Sequence, residues 1–399
     1  MPERRWLILG ALFVARAATG FQFQSVGSAA NLLMRDLGID YAQIGMLLGA
    51  YLLPGVIVAF PAGLLGQRFR EKKLGLAGLA LMAVSGVALS LSDGFMMALM
   101  ARTLGGVGAT IVILAATKLT TDWFDGREIV LAMSILQVSW PFGAMLALPI
   151  QAHIGQWFGW PAVVASAAVF SVAALIAFLF VSEPAQSAPP AAVGRTRLPA
   201  AVLLPVIVAG IIWGAMNLAC ILFFSYAPLL LVVQGSSPTA AASLTSLAIW
   251  FTIAAIPAGG YLVHRFRIPI AAIVGCALVA AAALALFAAN IHPTISCLVF
   301  GIAVGPLSGA ILSLPSKVLR DHERAVGFGV FYTCFYILMA TGPSAVGRLQ
   351  DLWGSPAAGL IAGAVLLVAI VPLCLSFVSM SDPQRLAEIN RETELRAAS

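Results

Sequence analysis

Two similar stretches of sequence, PAGLLGQRFR at residues 61–70 and PAGGYLVHRFR at residues 257–267, begin 196 positions apart in a chain of 399 residues. Each stretch follows an apolar segment and ends in basic side chains. A weaker echo joins FDGREIVLAM at 124–133 to LRDHERAVGF at 319–328, with an offset of 195. A repeat near half the chain length indicates a duplicated unit. Duplicated bundles of membrane helices are related by a pseudo-twofold axis and enclose a cavity between them.

The composition requires a membrane environment. Apolar residues make up 61 % of the chain and charged residues only 10 %, whereas a soluble domain carries about 25 % charge. The surface must therefore face lipid for the most part. This excludes a disordered chain, a secreted disulfide scaffold and a nucleic-acid-binding protein. The five cysteines and four histidines form no ligand-like cluster, so neither a metal nor a cofactor is expected.

Apolar windows of about 20 residues, the length that crosses ~30 Å of hydrocarbon as a helix, predict twelve spans. They are 6–30, 42–65, 73–92, 95–118, 129–152 and 160–181 in the first half, then 200–226, 240–263, 269–289, 293–316, 325–349 and 356–380 in the second. The predicted fold is all-α, with two pseudo-symmetric six-helix bundles.

The same windows predict the domain boundaries. Residues 1–181 form the N-terminal bundle, 182–199 a proline-rich cytoplasmic linker, 200–380 the C-terminal bundle and 381–399 a cytoplasmic tail. With the N-terminus in the cytoplasm, 18 Lys and Arg side chains lie on that side and only Arg35 and Arg348 on the other. The positive-inside rule therefore places both termini in the cytoplasm of a bacterial inner membrane.

Two motifs resemble those of the major facilitator superfamily. GLLGQRFREKK (63–73) resembles the family's signature loop between spans two and three, with Gln67 where the family usually has aspartate and Arg70 at a later glycine position. ARTLGGVGA (101–109) matches the span-four pattern at Arg102, Gly106 and Gly108. The span-one arginine followed by QSVG, together with WFDGRE, is similar to the cyanate and nitroimidazole permease-like subgroup. The resemblance implies a secondary transporter that works by alternating access.

Arg16 is the strongest candidate for a substrate site. All sixteen acidic residues lie at helix ends, in loops or in tails, so no carboxylate is expected at mid-membrane depth. Arg16 lies ten residues beyond Trp6, about 15 Å along a helix. An arginine at this depth is costly and typically functional. It either faces the central cavity and binds an anion, or is capped by backbone carbonyls and water at a helix contact.

Other candidates follow from helical spacing. Besides Arg16, the predicted substrate-binding residues are Gly20, Phe23, Gln137, Trp140, Trp213, Asn217, Tyr332 and Tyr336. Their hydroxyl, indole and amide groups can donate hydrogen bonds to an anion while the rings exclude water. Anchoring at the lipid interface or plain helix packing is the alternative for each of them.

A second set is predicted to have structural or gating roles. The resemblance implies that Arg102 braces span one, where Gln22 and Gln24 lie at comparable depth; indirect involvement in coupling is the alternative. Gly106 and Gly108 leave room for close helix approach. In the signature loop, Gly63, Arg68 and Arg70 are predicted to help hold the cytoplasmic side closed, or to act only as a solvated positive-inside loop.

The sequence thus predicts a transporter rather than an enzyme. Its expected partners are a small, anionic substrate and the lipid bilayer, with a coupling proton as a further candidate and the chain as a monomer. Export of an apolar or drug-like compound is the alternative. A lipid-modifying membrane enzyme would need buried acids that are not seen, and a sensor would need a sizeable output domain.

Overall fold

The structure is a computed structural model that describes residues 2–58, 71–124, 128–182, 198–266, 268–320 and 323–381. All regular structure in these ranges is helical. The helices are α1 (Pro2–Leu37), α2 (Tyr41–Val58), α3 (Glu71–Ser90), α4 (Phe95–Trp123), α5 (Glu128–Leu179), α6 (Ala200–Val233), α7 (Pro238–Phe266), α8 (Pro269–Ala288), α9 (Pro293–Leu312), α10 (Arg324–Trp353) and α11 (Ala357–Met380). A short 3-10 turn, Pro315–Lys317, follows α9.

The helices match a membrane protein in length and polarity. Within the described ranges, ten are long and apolar enough to cross a bilayer, and α2 supplies a shorter apolar helix, Tyr41–Ile57. Large apolar side chains such as Trp157, Phe158 and Phe180 are more than 70 % exposed, which is favourable only against lipid. Pro238, Pro269 and Pro293 begin three of the helices, where the missing N–H of proline costs no hydrogen bond.

Helix α5 is bent into two arms. Its 52 residues would extend about 78 Å if straight, more than twice the hydrocarbon thickness. Gly159 makes the bend with a φ of 74° and a ψ of 178°, a conformation open to glycine because it has no Cβ. The chain therefore turns back at this point, in agreement with the prediction of two spans, 129–152 and 160–181.

Two clusters of buried apolar side chains hold the helices together. One comes mainly from residues 8–181 and the other mainly from residues 202–377. We refer to residues 2–182 as the N-terminal half and to residues 198–381 as the C-terminal half. Each cluster also takes side chains from the opposite half, among them Leu218 and Met339 in the first and Met145 and Leu148 in the second. The halves therefore pack directly against each other.

The chain defines two faces of the molecule. The near face holds the start of α1 at Pro2 and the start of α5 at Glu128. The far face holds the connections 38–40 and 354–356 and the bend at Gly159. This distinction matters below because the contacts between the halves are not evenly distributed between the faces.

Candidate functional site

Arg16 lies near the middle of α1, at the interface between the halves. Its Nη1 donates to the backbone carbonyl of Leu136 on α5 at 3.1 Å. Its Nε is buried and makes no hydrogen bond, and no carboxylate pairs with it within the described ranges. A guanidinium has five N–H donors, so one carbonyl leaves most of its capacity unused. Arg16 thus makes a contact with a backbone carbonyl, as the packing interpretation predicts, and also keeps free donors, which the anion-binding interpretation requires.

Two tyrosines of α10, in the other half, lie within electrostatic range of Arg16. They are Tyr332 and Tyr336. Tyr336 also packs on α2, where a Cβ built on Gly55 would overlap its ring. The structure thus brings together three of the predicted substrate residues, Arg16, Tyr332 and Tyr336, across the interface.

Aromatic rings line the same part of α10 and the facing helix α6. Trp213 stacks with Phe331 and makes a tilted contact with Phe335, each with 6.3 Å between ring centroids. Tyr332 makes an edge contact with Phe335 at 6.3 Å. The side chain of Asn217 donates to the carbonyl of Trp213 at 2.8 Å. Phe331 and Phe335 were not among the predicted residues, although Phe335 lies one turn from Tyr332 and Phe331 lies one turn from Phe335.

The remaining predicted residues of the N-terminal half lie in or beside helix packing. Phe23 is buried, with ring centroids 5.5 Å from Trp140 and 5.8 Å from Tyr51. Gly20 lies against the backbone of Trp140, whose carbonyl a Cβ would overlap. Gln137 is exposed, one turn from the partly buried Trp140. Only Trp140 links this group to both buried clusters.

Arg102 is bound on all sides by backbone. It is 1 % exposed, and its three nitrogens donate to the carbonyls of Leu47, Gln22 and Phe23 at 3.2, 2.8 and 2.6 Å. Its guanidinium also lies 4.4 Å from the ring centroid of Tyr51. These contacts join α4 to α1 and α2. Each nitrogen of Arg102 already makes a hydrogen bond, and its burial leaves a ligand no access to the remaining N–H groups.

Glycines let the helices around Arg102 approach closely. A Cβ on Gly106 would overlap the Tyr51 backbone of α2, and one on Gly108 would overlap the Gly78 carbonyl of α3. Packing at backbone contact is typical of small residues in membrane helices.

The predicted loop residues Gly63, Arg68 and Arg70 lie outside the described residues. Among the described residues of the near face, Arg5 forms a two-point ion pair with Glu128, at 2.6 and 2.9 Å. Lys118 pairs with Asp122 one turn away. Both pairs lie inside the N-terminal half.

The far face holds close contacts between α2 and α10, among them one from Asp351, a residue that the sequence interpretation did not single out. A Cβ on Gly45 or Gly49 of α2 would overlap the carbonyl of Pro343 or Ala340 on α10. Asp351 accepts hydrogen bonds from the backbone N–H groups of Tyr41 and Ala42, both at 2.9 Å. The local signal was present, because a carboxylate at a helix end suits the N-terminus of another helix, but no spacing rule pairs positions 310 residues apart.

Comparison with known families assigns this architecture. The family model of the Major Facilitator Superfamily matches residues 12–343, and the chain belongs to this superfamily. The prediction from the two motifs is thereby confirmed at the level of the superfamily, while the cyanate and nitroimidazole permease-like subgroup stays a prediction.

Several curated relatives are transporters. The chain is 25 % identical over 258 residues to a 3-(3-hydroxy-phenyl)propionate transporter of Escherichia coli K12, covering 61 % of each chain. It is 26 % identical over 194 residues to the multidrug resistance protein MdtL of E. coli O157:H7, covering 48 % of this chain and 49 % of that protein. A hexuronate transporter of Bacillus subtilis is 22 % identical over 149 residues, 37 % of this chain and 35 % of that one. The chain spans less than two thirds of the length of these relatives.

Solved structures share the fold over nearly the whole chain. A bacterial homolog of the human lysosomal transporter Spinster, in an inward-facing and occupied conformation, has a TM-score of 0.72 at 16 % identity and covers 94 % of this chain and 95 % of that one. Its inward-facing and unoccupied form has a TM-score of 0.70 at 17 % identity, with coverage of 95 % and 96 %. The chain is thus a multi-pass membrane protein with the fold of solute transporters.

Proposed function

We propose that this protein is a secondary active or facilitative carrier of small monoanions, which it moves by alternating access around Arg16. The observation that carries the proposal is the Arg16 side chain, placed between the halves with one carbonyl partner, a buried unpaired Nε and no paired carboxylate among the described residues. A carrier of cations would place an acidic group here, whereas a carrier of anions requires a free donor fork.

The ring cluster supports an organic, and in particular an aromatic, monocarboxylate. A carboxylate on Arg16 would lie within electrostatic range of Tyr332 and Tyr336. The packed rings of Trp213, Phe331 and Phe335 would give its apolar part a dry surface. The relative named for 3-(3-hydroxy-phenyl)propionate carries a substrate of this chemistry. We assign Trp140, Gln137 and Asn217 to the outer wall, and Gly20 and Phe23 to the packing that supports it.

The proposal extends to topology. We propose twelve spans. Two of them lie in α5. The second span of the chain is the predicted segment 42–65, of which α2 is the described part. The bundles are residues 1–181 and 200–380, joined by the linker 182–199, and residues 381–399 form the tail. Both termini lie in the cytoplasm, and the transporter works as a monomer without metal or cofactor. A coupling proton would travel with the substrate, because among the described residues no carboxylate forms an ion pair with Arg16.

Uptake by proteoliposomes tests the substrate class. Labelled benzoate, 3-phenylpropionate, cyanate, nitrate and succinate are compared at several pH values and membrane voltages. We expect a monoanion to be taken up fastest. We also expect Arg16→Lys to reduce its uptake by about tenfold, because an ammonium cannot hold a carboxylate at two points.

The control is Arg35→Lys, which changes an exposed arginine of the same helix and should leave uptake unchanged. Wild-type rates in both Arg16→Lys and Arg16→Ala would contradict the anion site. In that case, uptake of a neutral drug-like compound by the same variants would favour the alternative, export of apolar compounds, to which the likeness to a multidrug resistance protein points.

A further inference from the structure

The hydrogen bonds that join the two halves among the described residues all lie toward the far face. They link Gln24 to Phe224, Tyr41 and Ala42 to Asp351, and Thr239 to Gln156. The Thr239–Gln156 bond is exposed, so water competes with it. The other contacts are buried or partly buried. If the halves rock, opening the far face must break them.

Gln24 donates a hydrogen bond to the carbonyl of Phe224, which has no donor within its own helix, α6. In a helix the carbonyl of residue 224 accepts from the N–H of residue 228. Residue 228 is proline and lies inside α6, so this donor is missing. The Nε2 of Gln24 donates to the carbonyl of Phe224 instead, at 3.2 Å, and Gln24 itself is 1 % exposed. A bond across the interface thus replaces a bond within the helix.

Close backbone packing surrounds this contact. A Cβ on Gly27, one turn beyond Gln24, would overlap the Gln24 amide and approach Ser225 of α6. Water is therefore excluded while the halves are together. Separation would leave the Phe224 carbonyl without a donor until water enters, which makes the bond specific to the closed far face.

Asp351 makes the second contact of this kind. Its two carboxylate oxygens accept from the Tyr41 and Ala42 N–H groups at the start of α2, which have no partner within that helix. The positive end of the α2 dipole favours the carboxylate. Asp40, on the same side of α2, caps the Gln43 N–H at 2.7 Å from within the N-terminal half. Helix α2 is thus capped once by its own half and once by the other.

We propose that Gln24 with Phe224, and Asp351 with the start of α2, form a far-face latch that holds the molecule in the state open toward the near face. The proposal rests on the rocking motion of the proposed function. It assigns Gln24, Pro228 and Asp351 as positioning residues, which set the balance between two conformations without touching substrate.

The test measures the far-face opening directly, without substrate or transport. Spin labels are attached at Asp36→Cys and Leu352→Cys, in the last turns of α1 and α10, in the full chain with its five cysteines replaced and placed in lipid nanodiscs. Double electron–electron resonance then gives the ratio of the far-face-open to the far-face-closed population.

We expect Gln24→Met to raise this ratio by about fivefold, the effect of one buried hydrogen bond. The matched control is Gln151→Met, since Gln151 donates to the carbonyl of Phe21 at 3.1 Å inside the N-terminal half. Asp351→Asn should raise the ratio as well, and Asp40→Asn should not. The latch is refuted if Gln24→Met and Asp351→Asn give the distance distributions of their controls.

A second measurement isolates the role of the proline. Pro228→Ala supplies an N–H for the Phe224 carbonyl, so Gln24→Met should change the ratio less than twofold in that background. An equal effect of Gln24→Met with and without Pro228 would overturn the assignment. These outcomes are independent of the anion site, because failure of the proposed function appears in uptake by Arg16→Lys and not in the label distances.

Discussion

The buried Arg102 and the partly buried Arg16 differ in how many of their donors are engaged. Arg102 gives all three nitrogens to the carbonyls of Leu47, Gln22 and Phe23, while Arg16 gives one to Leu136 and keeps a buried Nε unpaired. Hydrogen bonds to a charged group stabilise a buried guanidinium. Arg102 is thus suited to bracing, and Arg16 to a ligand that arrives from solution.

Substitution of Arg102 by lysine tests the bracing role. An ammonium keeps the charge but cannot reach three carbonyls in one plane, so we expect Arg102→Lys to lower stability by about 2 kcal/mol. Thermal unfolding in detergent, followed by tryptophan fluorescence, measures the change. Arg35→Lys, at an exposed arginine paired with its neighbour Asp36, should stay within about 0.5 kcal/mol of wild type. Equal melting temperatures for the two variants would contradict the role.

Helices meet at glycines where backbone touches backbone. Gly106 lies against Tyr51, and Gly45 lies against Pro343, so α2 has close contacts both within its own half and with the other half. Contacts of this kind tolerate little added volume, because main chain cannot move aside as a side chain can. Helix α2 is therefore in backbone contact with α4 of its own half and with α10 of the other half.

Replacing a glycine by alanine adds a methyl group, and the change in stability shows whether the glycine lies in a close backbone contact or at an open position. We expect Gly106→Ala to cost about 1–3 kcal/mol through overlap with the Tyr51 carbonyl. Gly10→Ala is the matched control, because nothing lies within 4 Å of a Cβ at Gly10, and alanine favours a helix over glycine. Thermal unfolding gives the melting temperatures of both variants. A higher melting temperature for Gly106→Ala than for Gly10→Ala would contradict the close contact.

The sequence predicted the helices well and their contacts poorly. The predicted span 269–289 is observed as Pro269–Ala288, because apolar windows bounded by proline and polar residues are local signals. The bend at Gly159 agrees with two spans, although helical structure continues on both sides of it. The partner of the Phe224 carbonyl could not be predicted. Pro228 shows locally that a donor is missing, but Gln24 lies 200 positions away and only the packing of the halves brings it there.

For the whole molecule, the contacts between the halves define a state that is closed at the far face. The close contacts of Gly45 and Gly49 with α10, together with the hydrogen bonds of Gln24 and Asp351, all act at that face. Arg16 lies deeper along the same interface, with tyrosines of the other half beside it. An anion bound there would touch both halves, so its presence would influence which face opens.

The most direct test of the central claim is binding of one ligand in two charge states. Isothermal titration calorimetry on the full chain in nanodiscs compares a carboxylate that is taken up, such as 3-phenylpropionate, with its neutral primary amide. We predict at least tenfold tighter binding of the carboxylate to wild type, and no preference in Arg16→Met, because only the guanidinium distinguishes the two ligands. A carboxylate preference that persists in Arg16→Met, or equal binding of both ligands to wild type, would contradict the account.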